Sequence, residues 1–128
     1  MTFGGHPPVP VPLTQARIAE AFSRHDFDVA LPFLAADVTW SLVGGKRIRG
    51  REEVVEWCRA SAEYLAPEST RFLDLRVLTG EGWVVVESAA EYAEGAGERS
   101  RIAACDVYRF EGGAIAGITS YNIELPRE

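Results

Sequence analysis

Hydrophobic positions recur at helical spacing in the first half of the chain and alternate with polar ones in the second. Thr14 is an N-cap residue type, and Ile18, Ala21 and Phe22 follow at helical spacing until the polar run "RHDFD" interrupts them, which predicts a first helix. Val29, Phe33 and Leu34 then share one side of "DFDVALPFLAADV". Pro32 lies inside that stretch, so a short second helix should end near it. "VTWSLV" has the pattern of a strand and "GGKRIRG" that of a loop. "REEVVEWCRASAEYLAP" opens with acidic residues, places Val54, Cys58 and Leu65 on one stripe and stops at Pro67, which predicts a third helix. Four strands complete the chain: "TRFLDLRVL", "WVVVESAAEYA", "RSRIAACDVYRF" and "AIAGITSYNIEL". Gly80, Gly82, an "EGAGE" apex and "EGG" separate them. Residues 1–12, "MTFGGHPPVPVP", are rich in Gly and Pro without periodicity and read as a flexible leader, leaving 13–128 as a single domain.

Helices, a strand, a further helix and a run of strands form an α+β plan in which a curved antiparallel or mixed sheet wraps its N-terminal helices and encloses a cavity. The last strands have apolar residues on both faces. Only one face can line a cavity, so the outer one is expected to be covered in a homodimer. With 128 residues, 47% of them hydrophobic and 25% charged, the chain can build one ordinary core. A net charge of -6 supplies no basic face for nucleic acid. Neither a membrane span nor a signal-peptide run is present, and a cytoplasmic location is expected. Cys58 and Cys105 make no metal-type spacing with His6 or His25. They read as reduced core residues, with no metal and no cofactor expected.

One residue breaks the pattern. By period two, Ile102, Ala104, Asp106, Tyr108 and Phe110 share one face of their strand, while Arg101, Ala103, Cys105, Val107 and Arg109 share the other. Asp106 therefore falls on the more apolar face. A carboxylate is costly there unless it is hydrogen-bonded, paired or protonated, so its pKa should rise.

The segment "FLAADVTWSLVGGKRIRGREEVVEWCR", followed later by "DVYRFEGGAIAGITSY", resembles the SnoaL-like and ketosteroid-isomerase-like branch of the nuclear transport factor 2-like superfamily. The matching elements are Ala36-Asp37 before the first strand, Gly50-Arg51-Glu52 at a helix start, and the Asp-Val-x-Arg-Phe strand, in that order. The resemblance covers nearly all of 13–125 and implies a cone-shaped α+β barrel or half-barrel with a deep apolar pocket, often dimeric through the outer sheet face. It also implies that Asp106 occupies the position where ketosteroid isomerases hold a protonated aspartic acid that donates to the substrate oxyanion. The other catalytic positions of that enzyme fall differently: its general base at or beside Leu42, its oxyanion tyrosine at Ile18, and the supporting tyrosines at Leu34 and Cys58. Ketosteroid isomerisation is thereby disfavoured. Limonene-epoxide hydrolysis is too, since Ala104 stands where its arginine would be.

The resemblance implies a pocket wall formed by Trp40, Trp57, Ile18, Leu42 and Cys58, with Asn122 at a lining position where it could orient a polar ligand atom. Strand parity leaves open whether Glu91 or Tyr92 looks inward. Glu91 would pair with Asp106 as a two-carboxylate set, whereas Tyr92 would donate a hydroxyl to the same ligand, and Tyr92 is preferred. His25, in the polar inter-helix turn, is expected to be solvated, and Asp37 to brace the entry of the first strand. Two functions are consistent with this set. One is a cofactor-independent isomerase, cyclase or dehydratase acting on a cyclic or polyketide-like carbonyl compound, with Asp106 as acid. The other is a non-catalytic module that binds a small apolar or cyclic ligand or dimerises.

Overall fold

The computed structural model describes residues 13–64, 70–94 and 98–126. The expected leader, Leu65 and Pro67 of the third helix, and the centre of the "EGAGE" apex lie outside these residues. Helix α1 (Gln15–Ser23) begins where the Thr14 hydroxyl accepts from the Arg17 amide at 3.2 Å. It buries Ile18, Ala19 and Phe22. Helix α2 (Phe27–Ala30) is a single turn, continued by a 3-10 turn (Leu31–Phe33) that accommodates Pro32 near its start. Strand β1 (Leu34–Leu42) starts earlier than the alternation predicts, because the register slips between Leu34 and Thr39 and the bulge exposes Ala36 and Asp37.

The expected loop "GGKRIRG" contains a short strand, β2 (Arg47–Arg49), antiparallel to β1. Three residues are too few to show alternation, yet Ile48 is fully buried opposite Trp40. Helix α3 (Arg51–Tyr64) follows at Gly50, whose φ of 87° favours glycine. The Arg51 guanidinium donates twice to the Leu34 carbonyl, at 3.0 and 2.7 Å, a group that the bulge in β1 leaves available. The "Gly-Arg" pair thus joins the start of α3 to the slipped end of β1.

Strands β3 (Thr70–Gly80), β4 (Trp83–Glu94), β5 (Glu98–Glu111) and β6 (Ala114–Leu125) form an antiparallel meander. Its last turn is the two-residue Gly112-Gly113, both at positive φ, as a tight hairpin requires. β6 then pairs with β1 in parallel, so the sheet is mixed, in the order β2-β1-β6-β5-β4-β3. The fold is α+β, with a curved sheet that stays open rather than closing into a barrel, and β2 and β3 are its edges. One core joins Ile18 and Phe22 of α1 and Val54 and Cys58 of α3 to Val84, Val86, Tyr108, Phe110, Ile115 and Ile118 on the sheet. On the opposite face Trp83, Tyr121 and Ile123 remain exposed. No described helix is long and apolar enough to cross a membrane.

Candidate functional site

The cavity lies at the end of the helical layer, where α1 stops. The Asp26 amide donates to the Ala21 carbonyl at 2.8 Å and the His25 amide to the Phe22 carbonyl at 3.0 Å, the paired bonds of a Schellman cap. This cap aims Ser23 at β5 and folds His25 back beside Phe27, Phe72 and Tyr92, with ring centroids 5.7, 5.7 and 6.2 Å from its own.

Asp106 and Tyr108, two residues apart on β5, face the same way. Ser23 Oγ donates to Asp106 Oδ2 at 2.8 Å, and the Tyr108 hydroxyl lies 2.6 Å from the same Oγ. A serine hydroxyl has one proton, so if Ser23 donates to Asp106 it accepts from Tyr108. From the other side, Trp40 Nε1 donates to Ser120 Oγ at 2.9 Å, and Ser120, directly opposite Asp106 in the β5–β6 register, hydrogen-bonds to the carboxyl. Two relays converge on one acid: Tyr108 through Ser23, and Trp40 through Ser120.

Burial holds the Asp106 pKa above its ordinary 3.8, against the opposing pull of the Ser120 and Ser23 hydrogen bonds. Burial also lowers the pKa of His25 from 6.5. Tyr92 is raised by burial and by the neighbouring Asp106 charge, and the fully enclosed Tyr108 is raised well above its usual value, chiefly by burial. Each group is displaced toward its neutral form, as a water-poor cavity requires.

The cavity encloses about 100 Å³. Asp106, Trp40, Leu42, Tyr92 and Asn122 line it, and Asn122, exposed to solvent, marks the mouth. Tyr92 rather than Glu91 looks inward, while Glu91 pairs on the outer side with Arg99 at 3.6 Å and Arg101 at 3.4 Å. Ile18, Trp57 and Cys58 are not among the lining residues. The cavity sits about one helical turn beyond them, at Phe22 and Ser23 on α1 and at Ser61 on α3. Ile18 and Cys58 belong to the core instead, and burial pushes the Cys58 thiol up to about 12. Trp57 packs at the core margin with Lys46 Nζ 4.8 Å above its ring. His25, expected in solvent, is half-buried and lines the cavity. The pattern placed Tyr108 on the face of Asp106 but gave it no role, and Ser23 and Ser120 were not singled out. A larger hollow of about 500 Å³ over the start of α3 is bordered by exposed charged side chains such as Glu52 and Glu53 and contains no buried polar group. Among the described residues no three His, Cys, Asp or Glu side chains come together to hold a metal ion.

The structure is similar to an NTF2-like protein of unknown function from Cytophaga hutchinsonii, with 27% identity, a TM-score of 0.75, and coverage of 83% of this chain and 93% of that one. It is also similar to a proposed polyketide cyclase from Xanthomonas campestris, with 28% identity, a TM-score of 0.62, and coverage of 85% and 86%. A proposed ketosteroid isomerase from Kribbella flavida shares the fold at 18% identity, with a TM-score of 0.65 and coverage of 88% and 80%. No curated protein matches the chain in sequence. The family model of the SnoaL-like domain matches residues 16–118. With that match spanning most of its length, and with the curved mixed sheet of NTF2-like structures, the chain belongs to the SnoaL-like domain family.

Proposed function

We propose that the cavity binds a small, uncharged cyclic carbonyl compound and catalyses proton transfer next to its carbonyl, the step common to isomerases, cyclases and dehydratases of this kind. The observation that carries this reading is Asp106: a carboxyl shifted toward its protonated form, fixed by two hydroxyls and lining a cavity that opens at Asn122. A protonated carboxyl in such a site donates to a carbonyl oxygen and stabilises the charge that develops there during enolisation. Because the cavity groups favour their neutral forms, an anionic ligand would gain no countercharge. At about 100 Å³ the chamber is smaller than the roughly 150 Å³ that accommodates benzene. Only the carbonyl end of a ring enters it, and the rest of the molecule lies in the mouth at Asn122. The similarity to a proposed polyketide cyclase is consistent with such a ligand. A second copy of the chain against exposed Tyr121 and Ile123 is the partner this reading includes.

The test is exchange of the α-hydrogens of one-ring ketones for deuterium in D2O, followed by proton NMR. The protein should accelerate exchange, and Asp106→Leu should slow it by roughly 10²- to 10³-fold, the usual effect of losing one such donor. Binding without exchange would support a non-catalytic pocket. No binding would remove the reading altogether.

A further inference from the structure

Resting on that reading of the cavity, we infer that His25 is the general base that takes the α-proton while Asp106 protonates the carbonyl oxygen. The reason lies in the backbone. His25 is the only non-glycine described residue at positive φ, 67°, and it occupies the position after the helix end where a Schellman cap ordinarily places glycine. A β-carbon in the left-handed region crowds the following carbonyl oxygen and is unfavourable. Strain of this kind persists where the side chain has a use, and here the side chain points into the cavity beside Asp106 and Tyr92.

The ring's environment matches that use. Phe27, Phe72 and Tyr92 hold the imidazole by its faces and edges. No described residue hydrogen-bonds to either nitrogen. A histidine recruited for structure would be expected to spend its N–H on a carbonyl or carboxylate, whereas this one keeps a lone pair available to a ligand. Partial burial favours the neutral imidazole, the form able to accept a proton. In the step itself a ring nitrogen of His25 takes the α-proton, the C–H electron pair becomes the enol double bond, and the carbonyl π pair takes the Asp106 proton. Imidazolium and carboxylate are left facing the same enol, and the reverse transfer returns both protons. The base missing at Leu42 is thus supplied from the end of α1.

Glycine suits this backbone position, so His25→Gly removes the imidazole without straining the chain. The variant should melt within about 5 °C of the parent protein, lose α-hydrogen exchange of one-ring ketones by roughly 10²- to 10⁴-fold, and regain part of it when free imidazole fills the vacated space. Should His25→Gly fail to fold, His25→Asn, which tolerates the same φ, takes its place in the assay. Exchange that survives the substitution, or that is lost without rescue while the ketone still binds, overturns the assignment of His25 and leaves the proposed function standing. Absence of exchange in the parent protein overturns the proposed function, and the role of His25 with it.

Discussion

Replacing Asp106 by Asn keeps the shape of the side chain and removes its proton equilibrium. In the folded protein Asp106 has a pKa above 3.8, because desolvation outweighs the hydrogen bonds from Ser120 and Ser23. Between the ordinary and the raised pKa the native state retains a proton that the unfolded chain has released. Stability of the parent protein therefore falls as pH rises through this window, by up to about 1.4 kcal/mol per pH unit, and levels off above the folded pKa. Asp106→Asn lacks this dependence. The stability of the variant relative to the parent should be lowest near pH 4, close to the ordinary pKa, and rise at each higher pH until the difference reaches a plateau. His25 is present in both proteins, so its own linkage largely cancels in the difference. Urea unfolding followed by tryptophan fluorescence at intervals from about pH 4 to pH 8 measures this, with an unchanged m value confirming that the unfolded states are comparable. A difference that stays flat with pH would mean that Asp106 titrates like an exposed carboxylate, and the donor role would go with it.

For α-hydrogen exchange a bell-shaped pH profile is expected, since the reacting form has neutral His25 and protonated Asp106, with Tyr92 the other titrating group in the cavity. Its acid limb should lie below 6.5 and its alkaline limb above 3.8, and Asp106→Asn should remove only the alkaline limb from any residual exchange. Arg51→Ala should destabilise the fold by about 1–2 kcal/mol in chemical denaturation by leaving the Leu34 carbonyl without its two donors. Arg51→Lys should recover only part, because an ammonium cannot reproduce the fork. Cys58 should resist thiol-alkylating reagents near pH 8 until the protein unfolds, given a buried thiol with a pKa of about 12. Mass spectrometry showing early native-state labelling at Cys58 would contradict its place in the core.

Much of this architecture is visible in the residue pattern because it depends on local chemistry: Thr14 as a cap, Pro32 as a breaker, and Gly112-Gly113 as a hairpin turn. The inward direction of Asp106 was legible too, since parity along one strand needs no knowledge of a neighbour. What crosses between strands was not. Counting back from the tight turn would place Thr119 opposite Asp106, but the register slips by one residue between Arg109 and Phe110 and brings Ser120 there instead. The only trace in the structure is that Ile115 and Ala116 are buried in succession, and in the sequence that is an unremarkable run of apolar residues. His25 was hidden for a different reason. A polar turn reads as solvated unless one knows that its cap folds back under Phe72 and Tyr92, which lie 47 and 67 residues further on. Family correspondence likewise placed the pocket wall one helical turn too early, at Ile18 and Cys58.

The position of β6 has a consequence for the order in which the molecule can be made. Although it is the last strand in the sequence, it lies between β1 and β5 and alone connects the early part of the sheet to the meander. During synthesis α1 to β2 and β3 to β5 would emerge as two sets of elements with no sheet pairing between them, each with apolar surface exposed. The parallel β1–β6 seam joins residues about eighty positions apart and cannot be completed until the chain has been made past Ser120. The same event brings Ser120 to Asp106 and Asn122 to the cavity mouth. A ribosome-stalled chain that stops short of Ser120 would therefore lack not a peripheral strand but both the joint of the sheet and the completed site.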